Sequence, residues 1–155
     1  MEALKSGVRM KTYLGLSNQG ATCYMNSAIQ TLYMTPEFRK SVYEWRYNPE
    51  IHGNKDFCIP YQLQRLFAQL QLSRKDFVDT RSLTKSFGWN SSEAFEQQDV
   101  QEFLRVLFDA IEQSFEMAGE QYKLINDLYE GLLTSYVQCK ECNYESKNED
   151  KFLDI

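Results

Sequence analysis

Histidine is nearly missing from this chain, with one residue, His52, among 155. A reaction that needs an imidazole therefore has one candidate in the sequence. Glycine (7) and proline (3) are also scarce, which excludes collagen-like and low-complexity architectures. No apolar run approaches the roughly 18 to 20 residues needed to span a bilayer, so no membrane partner is expected. Residues 1–11 carry Lys5, Arg9 and Lys11 around no apolar stretch, so no signal peptide is expected. The cysteines, Cys23, Cys58, Cys139 and Cys142, are too few for a disulfide scaffold. They are expected to be reduced thiols, which suits the cytoplasm and/or nucleus. Excess positive charge is lacking too. With 17 Lys plus Arg against 22 Asp plus Glu the net charge is −5, a poor basis for holding nucleic acid. The chain does have 43% apolar residues and 14% aromatics, enough to fill one domain core.

The periodicity is mostly helical. In residues 23–34, Met25, Ala28, Ile29, Leu32 and Tyr33 form one stripe. Thr35-Pro36-Glu37 reads as a helix start, with Phe38, Val42 and Trp45 following on one face. Residues 47–57 hold Asn, Pro, Gly and Asp and read as a loop. Ile59-Pro60 opens another helix, with Leu63, Leu66, Phe67 and Leu70 inward. The longest helix is expected over residues 100–117, with Val100, Phe103, Leu104, Leu107, Phe108, Ile111 and Phe115 as its apolar face. A short helix over residues 122–129 is expected to end at Gly131. Only then does the period become two, with residues 144–155 able to pair back as a hairpin. The reading is α+β, mainly α, with strand structure confined to the end. Ile155 falls inside a strand-like run without a turn or cap, which suggests a truncated domain.

Three segments carry chemistry. In residues 15–27 a Gly-containing loop delivers Cys23 into the first turn of an amphipathic helix. Unpaired N–H groups there favour a thiolate, the nucleophilic form of cysteine. Asn18 lies five residues upstream, so its amide and the Cys23 N–H could form an oxyanion hole. A buried cysteine that merely begins a core helix is the alternative. In residues 97–104, Gln97-Gln98-Asp99-Val100-Gln101-Glu102-Phe103-Leu104, the acids Asp99 and Glu102 share one side of a helix start. They could receive an arginine-bearing tail of a partner. They could equally form a capping box that closes the helix on itself. Cys139-Lys140-Glu141-Cys142, between two strand-like runs, is half of a zinc-ribbon pattern. A redox pair or two inert thiols are the other readings.

Residues 18–27, Asn-Gln-Gly-Ala-Thr-Cys-Tyr-Met-Asn-Ser, resemble the cysteine box of the ubiquitin-specific proteases, which are papain-like cysteine deubiquitinases. Residues 97–104 resemble that family's Gln-Gln-Asp box, and Cys139-x-x-Cys142 the first half of its fingers zinc ribbon. Ser86-Phe87-Gly88-Trp89 is similar to the herpesvirus-associated branch. The resemblance covers roughly residues 13–155. It implies a papain-like thumb of five or six helices over residues 13–131, preceded by an N-terminal extension over residues 1–12. Residues 132–155 would begin the fingers. The implied roles are Cys23 as nucleophile on the isopeptide carbonyl after ubiquitin's terminal glycine, and Asn18 as oxyanion donor. Asp99 and Glu102 would hold the ubiquitin tail. The implied partners are ubiquitin and ubiquitinated proteins.

The chain departs from the family where a base is needed. The resemblance implies a downstream histidine box with an Asp or Asn partner, in a palm that this chain does not contain. His52 lies in a polar stretch without that pattern and reads as a solvated loop residue rather than a base. The rest of the catalytic domain is expected to be required for activity. No cofactor is expected to be required. A structural zinc on Cys139 and Cys142 is expected only in a full-length protein, leaving that half-site unfilled here. The alternatives are a non-catalytic ubiquitin-binding fragment and a purely structural helical domain.

Overall fold

A computed structural model describes residues 13–89, 99–117 and 123–153. The expected extension over residues 1–12, the glutamines Gln97 and Gln98, and Ile155 lie outside the described residues. The element order is β1 (Gly15–Leu16), α1 (Cys23–Met34), α2 (Pro36–Glu44), α3 (Pro49–His52), α4 (Ile59–Leu72), β2 (Phe77–Val78), α5 (Arg81–Ser86), α6 (Val100–Met117), α7 (Leu124–Tyr129), β3 (Glu130–Gln138) and β4 (Glu145–Leu153).

The architecture is α+β and mainly helical, with one core. Helix α1 buries Met25, Ala28, Ile29 and Leu32, and α4 buries Leu63, Leu66, Phe67 and Leu70. The central member is α6, whose stripe of Phe103, Leu104, Leu107, Phe108, Ile111 and Phe115 is buried at a helical period. It packs on α1 and α4, while α2 fills the space between those two. Phe38 is the hub of this layer. Its ring meets Phe67, Phe108 and Tyr129 with centroids 6.1–6.4 Å apart. Val100, expected on the inner face, is exposed, because the first turn of α6 extends past the core.

Seven helices are present among the described residues, more than the expected five or six. Residues 47–57 are not all loop. The Asn48 side chain accepts a hydrogen bond from the Glu50 N–H, with Pro49 at the first position, and one turn of helix follows. A four-residue helix shows no period, so nothing set it apart from the loop around it. Helix α5 escaped for the same reason. Strand structure is not confined to the end either. β1 and β2 form a short parallel pair, Gly15 opposite Phe77 and Leu16 opposite Val78. Two-residue strands are too short to alternate visibly.

The terminal hairpin is the expected one, antiparallel from Glu130 opposite Leu153 to Gln138 opposite Glu145. It starts two residues earlier than expected, and Gly131 is part of the strand rather than a helix stop. The Phe152 ring lies over Gly131, so that a Cβ there would come 2.5 Å from the ring. Lys151 Nζ pairs with Glu130 Oε1 at 2.7 Å, and Asn126 Nδ2 donates to Glu130 Oε2 at 2.6 Å, tying the hairpin base to α7. Beyond that base both faces of the ribbon are exposed.

Candidate active site

Cys23 is the first residue of α1 and is solvent-exposed. The preceding loop is held by its own side chains. Asn18 Oδ1 accepts hydrogen bonds from the Thr22 N–H (3.1 Å), the Thr22 hydroxyl (3.0 Å) and the Gly20 N–H (3.2 Å). That fixes the amide carbonyl inward, and Nδ2 takes no part in this network. Gly20 has φ 123°, a conformation that a side chain would strain. Thr22 is fully buried, and its carbonyl accepts the first helical bond, from the Asn26 N–H at 3.0 Å. Its hydroxyl serves the loop and makes no cap, so the first-turn N–H groups of α1 keep no side-chain acceptor. Asn26 Nδ2 reaches back to the Ser17 carbonyl at 3.2 Å. An exposed thiol, a helix start and an oriented amide are thus gathered within six residues.

The loop is also tied to the rest of the fold. The Ser17 N–H donates to the Val78 carbonyl at 2.9 Å, extending the β1–β2 pair. Gln19 Nε2 donates to the Thr80 hydroxyl at 2.7 Å, and Gln19 Oε1 accepts from the Thr84 hydroxyl at 3.3 Å. Both threonines are buried. The sequence carried no sign of these partners, which are 61 and 65 residues away.

Asp99 and Glu102 are both exposed at the start of α6. Asp99 is a cap: its carboxylate accepts from the Gln101 N–H at 2.7 Å, and its carbonyl from the Phe103 N–H at 3.0 Å. The reciprocal bond of a capping box, from the Asp99 N–H to Glu102, is not formed among the described residues. Glu102 instead lines an open groove of about 670 Å³ between α6 and the end of β4. Asp99, Arg105, Asp109, Lys151 and Phe152 share its walls. Asp99 therefore caps the helix without closing a capping box, while the Glu102 carboxylate faces the open groove.

The two helix starts meet through their neighbours. Tyr24 and Phe103 pack edge to face with centroids 6.1 Å apart. Phe87 and Trp89, stacked on each other at 5.0 Å, close over the same Phe103 ring. Residues 86–89 thus wedge the end of α5 against the start of α6.

His52 is not a solvated loop residue. It is half-buried, and its ring packs tilted against Trp45, with centroids 4.8 Å apart. The Asn48 N–H donates to Nδ1 at 2.9 Å, so Nε2 carries the proton toward the Ser114 carbonyl at 3.2 Å. Ser114 is eleven residues along α6 from Phe103, a rise of roughly 16 Å. Both ring nitrogens are committed at the far end of that helix, away from Cys23.

Cys139 and Cys142 sit exposed on the β3–β4 turn. The Cys142 and Glu141 N–H groups and the Cys142 thiol donate toward the Cys139 sulfur, drawing its pKa below the ordinary thiol value. Asn143, at φ 57°, turns the chain back, and its N–H bonds the Cys139 carbonyl at 2.9 Å. This knuckle suits two thiolate ligands of a tetrahedral metal. No group of three or more candidate ligands occurs among the described residues. Cys58 is buried at the head of α4, where burial pushes its thiol up.

The family described as Ubiquitin carboxyl-terminal hydrolase matches residues 14–152. Over 143 residues the chain is 55% identical to Ubiquitin carboxyl-terminal hydrolase 47 of Xenopus laevis, which covers 92% of this chain and 10% of the relative. It is 54% identical to Ubiquitin carboxyl-terminal hydrolase 47 of Homo sapiens over the same shares. To Ubiquitin carboxyl-terminal hydrolase 40 of Homo sapiens it is 45% identical over 150 residues, 91% of this chain and 12% of the relative. The chain spans about a tenth of the length of the curated relatives it matches.

Proposed function

The chain belongs to the ubiquitin carboxyl-terminal hydrolase family, and from that premise we propose that it carries the nucleophile and tail-binding half of a thiol-dependent deubiquitinase. The observation that carries this reading is Cys23, exposed at the start of α1 beside a loop that fixes the Asn18 carbonyl inward. The Cys23 thiolate attacks the carbonyl carbon after ubiquitin's terminal glycine. The developing oxyanion takes hydrogen bonds from Asn18 Nδ2 and the Cys23 N–H. The isopeptide C–N bond then breaks, the lysine amine leaves with a proton, and water hydrolyses the thioester. The arginine-bearing tail of ubiquitin lies along the groove with Asp99 and Glu102.

General acid–base assistance is worth about 10²–10⁴-fold, and the leaving amine depends on it. The one histidine of this chain is committed to Asn48 and Ser114. The base is therefore proposed to come from a part of the larger enzyme that these 155 residues do not include. That same observation favours a second reading for the chain alone, a ubiquitin-binding fragment without turnover. Cys139 and Cys142 would supply two ligands of a structural zinc in the larger protein, outside the reaction itself. A reducing compartment, cytoplasm or nucleus, suits a thiol nucleophile. The finer placement in the herpesvirus-associated branch rests on residues 86–89 and draws no support from the relatives compared.

The test uses this chain beside its Cys23→Ala variant. Ubiquitin with a C-terminal thiol-reactive group should label Cys23 and no other cysteine. A fluorogenic ubiquitin C-terminal amide should be turned over no faster than by the variant. Labelling without turnover supports the proposal. Turnover well above the variant would place a working base among these residues, and absence of both labelling and ubiquitin binding would sink both readings.

A further inference from the structure

We infer that Gln19 is a positioning residue, whose side-chain amide clamps the loop of Asn18 and Cys23 onto the start of α5. The catalytic meaning of the clamp rests on the function proposed above, whereas its geometry stands on the hydrogen bonds alone. The Gln19 amide is held at both ends. Nε2 donates to the hydroxyl of Thr80, the residue just before α5, at 2.7 Å, and Oε1 accepts a longer bond of 3.3 Å from the Thr84 hydroxyl, which it shares with the Arg81 carbonyl at 3.0 Å. Thr80 has no exposed surface and Thr84 only 4%, so both partners are fixed by the core. Bonds at both ends of the planar amide restrict its rotation and hold the Gln19 backbone near α5.

From that backbone the order passes to the loop. The Gln19 N–H donates to Thr22 Oγ1 at 3.0 Å, and the Thr22 hydroxyl donates in turn to Asn18 Oδ1 at 3.0 Å. The bonds thus run unbroken from α5 through Gln19 and Thr22 to the Asn18 amide in the loop that leads to Cys23. The platform is braced independently by the parallel β1–β2 pair, since β2 leads directly into α5. Neutral side-chain bonds of this kind add modestly to overall stability. Their use here is orientation: catalysis of acyl transfer is steep in the placement of an oxyanion donor.

The experiment compares the ¹⁵N-labelled chain with Gln19→Leu, Thr80→Val and the double variant. In each single variant the Thr22 amide should exchange at least tenfold faster. The Asn18 side-chain proton pair should move toward the positions of a free amide. The Leu107 and Ile111 amides in α6 should keep their exchange rates within about twofold. The double variant should add nothing, because both changes open the same clamp. With the ubiquitin electrophile, the maximal labelling rate of Gln19→Leu should fall at least threefold at an unchanged half-saturating concentration. Unmoved Thr22 and Asn18 signals overturn the inference. So do effects that multiply in the double variant, or α6 amides that accelerate in step with the loop. Should Gln19→Leu not fold, Thr84→Val, which removes the 3.3 Å bond to Gln19 together with the 3.0 Å bond to the Arg81 carbonyl, is read by the same signals and the same criteria. Exchange and Asn18 signals involve no ubiquitin, so a chain that never engages ubiquitin would sink the proposed function and leave the clamp standing.

Discussion

Tyr24 and Phe103 meet edge to face, with ring centroids 6.1 Å apart and planes at 80°. Each ring directly follows a residue of the proposed site: Cys23 precedes Tyr24, and Glu102 precedes Phe103. The aromatic contact therefore aligns the start of α1 with the start of α6. It does so from the buried side, leaving the thiol and the carboxylate on the surface.

The two carboxylates of α6 should separate in experiment. Asp99→Ala removes a cap and should cost about 1 kcal/mol of unfolding free energy. Glu102→Ala should change stability by less than about 0.5 kcal/mol, as for an exposed residue without a bond. In a ubiquitin titration followed by NMR, Glu102→Ala should nevertheless weaken binding several-fold. A stability loss at Glu102 with unchanged affinity would make it a structural residue.

Thiol reactivity should follow exposure. Iodoacetamide at neutral pH is expected to modify Cys23, Cys139 and Cys142 well before Cys58. Cys58 is 6% exposed, and its pKa is raised by burial. Peptide mass spectrometry over a time course reads the order. Cys58 modified alongside Cys23 would mean that the head of α4 opens readily.

His52→Ala should destabilise the fold by about 1–3 kcal/mol, since it leaves the Asn48 N–H and the Ser114 carbonyl without their partner. Urea unfolding measures this. Labelling of Cys23 by the ubiquitin electrophile should be unaffected once the variant is folded. A labelling rate that fell while stability held would return His52 to the chemistry.

Gly131→Ala should disturb the hairpin only. The new Cβ would sit 2.5 Å from the Phe152 ring and force it off the strand. Amides of β3 and β4 should lose protection at least tenfold, while those of α1, α4 and α6 keep theirs. Equal loss everywhere would show that the hairpin base supports the helical core.

Much of this fold is written locally. The stripes of α1, α4 and α6 repeat at 3.6 residues over 12, 14 and 18 residues; the bounds of α1 and α6 and the start of α4 are the expected ones. Thr35-Pro36 and the period-two run after Gly131 announce α2 and the hairpin just as plainly. Helices α3 and α5 and the strands β1 and β2 left no such trace. None exceeds six residues, and a period cannot be seen within so short a span.

The site divides in the same way. That Cys23 opens a helix and that Asp99 opens another follow from sequence neighbours, because caps and first turns are local structure. Which carboxylate caps and which faces outward could not be read from a spacing of three, since both outcomes use the same residues. Nor could the fate of His52 be read. A polar stretch promised solvent, and only the approach of Trp45 and the α6 carbonyl at Ser114 made it a half-buried structural residue. The tie from Gln19 to Thr80 and Thr84 crosses more than sixty residues. Hydrogen bonds at that separation obey no periodicity, so the sequence alone determined the long helices and the place of Cys23 at the start of one of them. The tertiary structure decided how the loop beside Cys23 is held, because that depends on which distant hydroxyls the packed core delivers to it.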